Sequence, residues 1–148
     1  MTAITRVLAV LVAYALACVA ASVVLTIGTL TPHWNEWSSL APQSSELQSA
    51  ALWAVILLGT VVIAGIAFLP ALLVIVLAEG FAWRSVLVYG ALGGALALGL
   101  RYGLDFAGYV GAPGREFARE REVMAAAGIA GGLVYWLVAG RRAGAWKS

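Results

Sequence analysis

Val7 to Leu30 is a run of 24 residues without a charged side chain, and Ala50 to Ala78 is another of 29. Such runs leave little choice of fold. About 20 consecutive apolar residues cross the ~30 Å hydrocarbon core of a bilayer as a helix. There the backbone must satisfy its own hydrogen bonds, which a helix does within a single segment. Composition agrees: 63% of the chain is hydrophobic and 11% charged, whereas soluble domains sit near ~45–50% and ~25%. A chain of 148 residues has too little interior to hide that surface from water, and it is too apolar to be disordered. The reading is a polytopic membrane protein.

The first span, residues 7–30, ends at Thr31 and Pro32, because proline turns the residue before it away from the helical region. Pro32 to Gln48 is polar and reads as a loop outside the hydrocarbon. The second span, residues 50–78, would measure roughly 44 Å as a straight helix, too long for one perpendicular crossing and too short for two. It therefore tilts, bends or emerges. Pro70 lies inside it and leaves the Ile66 carbonyl without its helical donor, which predicts a kink there. The third span covers residues 85–104. After a glycine-rich loop, residues 115–122 (REFAREREV without its valine) are strong helix formers and form the charged start of the fourth span, residues 123–140. The expected fold is all-α, a single membrane domain with four transmembrane helices in an antiparallel bundle and a proline-kinked long second helix.

Four spans put both termini on one side. Basic residues collect on cytoplasmic flanks, and early helices usually dominate insertion. The loop after the first span carries no Lys or Arg, whereas Arg6, Arg84, Arg141, Arg142 and Lys147 fall on the side of the termini. Both termini are expected in the cytoplasm. Trp34, Trp37, Trp53, Trp83 and Trp146 fall near span ends, where an apolar ring with a polar N–H suits the headgroup zone. Glu79 and Arg84 bracket the turn from the second span to the third and read as a surface ion pair at the membrane edge, a contribution of less than ~1 kcal/mol.

Little in the chain carries chemistry. An ionisable group deep in a span marks function by default, and none is present; the deep polar residues are Tyr14, Cys18, Ser22, Thr26, Thr60, Tyr89 and Tyr135. His33 and Glu36 are three residues apart, but two ligands do not close a zinc site, and there is no second histidine. No nucleophile–base set can be assembled, and there is no P-loop or H-E-x-x-H motif. Nine basic residues, scattered, do not make a nucleic-acid surface. The lone Cys18 forms no intrachain disulfide. Its context loosely resembles a lipobox, but the apolar run continues to Leu30, so lipidation and a cleaved signal peptide are not expected. The expectation is no catalytic, cofactor or metal site.

The informative positive signal is small-residue spacing. Gly90 and Gly94, Gly99 and Gly103, and Gly128 and Gly132 each lie four residues apart. In lipid, helices associate through close backbone contact and weak polar groups rather than a hydrophobic drive. Tyr14, Cys18, Ser22 and Thr26 recur every four residues and form one slanting stripe of such groups. These positions are expected to pack helices or contact a partner, with Leu100 on the lipid-facing side.

The segments Leu69-Pro70-Ala71-Leu72-Leu73, Ala78 through Ser85 and Ala127 through Leu137 resemble small uncharacterised four-span bacterial inner-membrane proteins. The resemblance covers about the last hundred residues and implies that location, but brings no catalytic or binding residue. The functional expectation is a non-catalytic accessory or structural subunit, packing against itself or a larger membrane complex. The alternative is a small-solute channel or the membrane component of a transporter.

Overall fold

The computed structural model describes residues 3–40, 44–81, 85–106 and 115–142. These form helix α1 (Ala3–Leu30), a 3₁₀ turn (Thr31–His33), a short α2 (Trp34–Leu40), α3 (Ser45–Gly80), α4 (Val86–Phe106), α5 (Arg115–Val138) and a closing 3₁₀ turn (Gly140–Arg142). All regular structure among the described residues is helical, and α1, α3, α4 and α5 are each long and apolar enough to cross a membrane. The chain is thus a multi-pass membrane protein.

The second long helix exceeds the sequence expectation. It starts at Ser45, not Ala50, and is helical through Pro70 without a break. The Gln48 N–H donates to the Ser44 carbonyl at 3.0 Å, and Glu46 in the first turn suits the positive end of the helix dipole. The polar segment expected as loop therefore holds the start of α3 as well as α2. In water-exposed headgroup territory, capping and propensity decide structure, and hydropathy alone does not report them. The 115–122 extension is helical, continuous with the fourth span.

Helix α1 packs against both α3 and α5, and α5 against α4. By contrast, α3 and α4 meet only slightly although they are joined by a short connection. The buried residues are mostly small: Ala13, Cys18, Ser22, Ala67, Ala78, Ala127 and Ala139. Large residues such as Leu58, Val61, Leu69 and Leu87 point outward. That inversion of a soluble core is what lipid as solvent favours, because small side chains let backbones approach.

Candidate functional site

The closest backbone approach lies between α4 and α5. A Cβ added to Gly93 would strike the carbonyl oxygen of Gly128, one on Gly128 that of Gly93, and one on Gly132 that of Tyr89. Gly94 is less tight, with its added Cβ 3.1 Å from Ile129 Cγ1, and a Cβ added to Gly90 would make ordinary contacts with Leu133 and Ile129 at 3.7 and 3.8 Å. Gly99 and Gly103 would meet nothing within 4 Å. Of the glycines singled out by spacing, Gly128 and Gly132 thus form the tight seam, Gly90 and Gly94 border it, and Gly99 and Gly103 lie on an open face.

Spacing did not single out Gly93, Gly131 or Gly59. A Cβ added to Gly131 would lie 3.1 Å from the Ala17 carbonyl oxygen, and one added to Gly59 would lie 2.7 Å from Ser22 Oγ. A signal for Gly93 was present: Gly93 and Ala97 precede Arg101 at four-residue intervals, as Glu120, Met124, Gly128 and Gly132 do on the other helix.

The weakly polar stripe of α1 faces inward. The Tyr14 hydroxyl donates to the Ala64 carbonyl at 2.7 Å and Ser22 Oγ to the Ile56 carbonyl at 2.8 Å, both on α3. Thr26 donates back to the Ser22 carbonyl within its own helix at 2.8 Å. Cys18 is buried and free. A buried hydroxyl in hydrocarbon needs an acceptor, and these donors find backbone oxygens.

Two charged features frame the helices. Arg101, its side chain 5% exposed, reaches Glu120 at 3.1 Å, the Glu120 side chain being 52% exposed. At the opposite end of α5, Arg6 donates to the Ala139 carbonyl at 3.2 Å, favourable at the negative end of a helix. Arg141 lies 4.7 Å from the centre of the Trp136 ring, a cation–π contact.

Between the four long helices is a chamber of about 390 Å³, within the range of small-molecule pockets. Its lining is almost wholly apolar, with Tyr14, Cys18, Ala67, Ala71, Leu96 and Ala127 among its residues. Leu100 also lines it, so it does not belong to the lipid-facing control surface expected for it. The stacked rings of Tyr89 and Tyr135, with centroids 5.6 Å apart, stand at one end. A groove bounded by Leu69, Pro70, Leu73, Ala95 and Gly99 shares Val74, Leu92, Leu96 and Leu100 with the chamber. The chamber therefore continues sideways between α3 and α4.

Trp53 is exposed, as an interfacial anchor requires. The expected roles of Trp83, Arg84 and Trp146 fall outside the described residues, as do the side chains of Trp34, Trp37 and Glu79. Among the described residues no group of three metal-ligating side chains converges. Compared with protein-family models, curated proteins and solved structures, the chain matches none.

Proposed function

We propose that the chain is a non-catalytic membrane protein, an antiparallel four-span bundle that serves as an accessory or structural subunit by packing against another copy of itself or a larger membrane complex. The observation that carries this reading is the division among the glycines. Gly93, Gly128 and Gly132 are used up by contact within the chain, whereas Gly99 and Gly103, with the same spacing, face open space. A four-residue glycine pair suits close approach of another helix, and among the described residues none lies within 4 Å of a Cβ added at either position. The α4–α5 pairs Tyr89 with Gly132, Gly93 with Gly128 and Arg101 with Glu120 run in opposite order along the two helices, which supports the antiparallel arrangement. A channel for polar solutes gains no support from a chamber so apolar.

In this reading the protein sits in the bacterial inner membrane with both termini cytoplasmic. The Arg6–Ala139 bond brings the start of α1 to the end of α5, so Arg6 and Arg141 lie at one end of the molecule. The test is disulfide cross-linking in native membranes in a Cys18→Ala background. Gly103→Cys should form dimers, whereas Val61→Cys, on an exposed part of α3, should not. Equal linking at both positions would remove the basis for self-association. If Gly103→Cys links to no second copy or other membrane protein, the open glycine face is lipid surface and the reading fails.

A further inference from the structure

We infer that the end of the molecule holding Arg6 and Arg141 binds the phosphodiester headgroup of an anionic phospholipid, whose acyl chains lie against the outward faces of α1 and α5. Three contacts define that end. Arg6 donates to the Ala139 carbonyl, Arg141 lies over the Trp136 ring, and Tyr89, near the start of α4, stacks on Tyr135, near the end of α5. The start of α1, the connection from α3 to α4 and the end of α5 therefore share one side. Counted over the whole sequence, the segments on that side carry Arg6, Arg84, Arg141, Arg142 and Lys147 against the single acid Glu79. The opposite side carries the other four basic residues against six acids. One end is thus positive by four charges and the other negative by two, although the chain as a whole carries only +2. Exposed charges farther apart than a Debye length of ~8 Å are largely screened from one another, so a headgroup responds to the end beside it and not to the total.

The geometry of the donors agrees. Arg141 is exposed, and its guanidinium sits over the indole of Trp136. Stacking uses the face of that planar group and leaves the N–H donors on its rim, the fork that matches two phosphate oxygens. Arg141 makes no ion pair with any described carboxylate. Arg6 serves differently. Its bond to the Ala139 carbonyl places a cation at the negative end of α5, whose free carbonyls would otherwise repel an anion. What lies beside the arginines selects a lipid among anions. Val7, Leu8 and Leu11 on α1 and Leu137 and Val138 on α5 are exposed, an apolar wall that begins where the cations end. A free phosphate or an acidic protein segment uses the charge and leaves the wall bare. A phospholipid uses both, and basic clusters at the ends of spans recognise anionic headgroups in this way.

The test uses the full chain in a nonionic detergent, offered equimolar phosphatidylglycerol and phosphatidylcholine with identical acyl chains. Native mass spectrometry counts the lipids retained. Phosphatidylglycerol should exceed phosphatidylcholine by about tenfold, as a pair of basic residues at a span end provides. Arg6→Gln with Arg141→Gln should bring the two lipids close to parity. Arg119→Gln removes one charge from an exposed residue at the opposite end and should leave the preference unchanged. Should the double variant fail to fold for want of the Arg6–Ala139 bond, Arg141→Gln alone should still lower the preference severalfold. Equal retention of the two lipids by the native chain, or an equal loss in Arg119→Gln and Arg141→Gln, would overturn the assignment. Inorganic phosphate or glycerophosphoglycerol, which lack acyl chains, should not displace the bound lipid at concentrations that match it. Full displacement by either would make this a site for a free anion and overturn the lipid. In detergent both lipids reach both ends, so no outcome depends on which compartment holds the termini or on whether Gly103 meets a second copy.

Discussion

What a glycine does in this chain depends on which atom lies opposite it. At Gly132 that atom is the Tyr89 carbonyl oxygen, which cannot step aside; at Gly94 it is the Ile129 side chain; at Gly65 there is nothing within 4 Å. Gly132→Leu and Gly128→Leu should therefore lower stability in detergent by at least the 1–3 kcal/mol typical of overpacking, with Gly94→Leu less damaging. Gly65→Ala should be neutral or raise stability by up to about 1 kcal/mol from helix propensity. Thermal unfolding followed by circular dichroism ranks the four, and a Gly132→Leu variant as stable as the native chain would refute the tight seam. The Arg101–Glu120 pair is asymmetric in the same measurable way. Glu120 is half in water and can be solvated alone, whereas Arg101 is buried. Glu120→Ala, which takes a carboxylate from a buried cation, should cost about 1–2 kcal/mol, below the ~3–5 of a fully buried pair because water already screens one partner. Arg101→Leu should cost less, and the opposite order in the same melts would mean that Glu120 is the group needing its partner.

Among the elements, α3 has the most freedom. It leans on α1 through Tyr14 and Ser22 and touches α4 little. Pro70→Ala returns a donor to the Ile66 carbonyl, and if Pro70 serves packing alone, the melting temperature should hold or rise. A folded variant that loses its cross-linked partner would make Pro70 a functional residue. The existence of four spans was legible in the sequence because hydrocarbon thickness dictates a length that apolar runs display directly. The register between helices was much less so. These helices are apolar on nearly every side, so no hydrophobic stripe marks an interior face as it does in water. Only small and weakly polar residues carried that information. Tyr14, Cys18, Ser22 and Thr26 did point inward, but Gly99 and Gly103 look the same in sequence as Gly128 and Gly132, since spacing records a face without recording its neighbour. The chamber lay beyond reach of the sequence for a related reason: a void is set by how far α3 and α4 diverge, and no single residue type encodes an angle.

At the scale of the whole molecule, the connection between α3 and α4 should share a compartment with the termini, and the residues between α1 and α3 should lie opposite. In a Cys18→Ala chain, Ser44→Cys should react with an impermeant thiol reagent on intact cells, and Ser85→Cys only after the membrane is opened; both native serines are exposed. Reversed labelling would invert the orientation. The long helices also differ in span. The 36 residues of α3 extend about 54 Å at ~1.5 Å per residue and the 21 of α4 about 32 Å. Even the uncharged part of α3, roughly 44 Å, would have to lean by roughly 47° to fit a ~30 Å core, beyond the 0–40° at which spans ordinarily tilt. Tilt alone thus does not match α3 to a membrane that fits α4. Where α3 neither bends nor emerges into the headgroups, lipid beside it stretches while lipid beside α4 stays relaxed, leaving a ledge in the bilayer where the two helices part. An elastic medium removes such a ledge by setting stretched flank against stretched flank, so the membrane itself would push copies of this chain together, whatever their side chains have to say to one another.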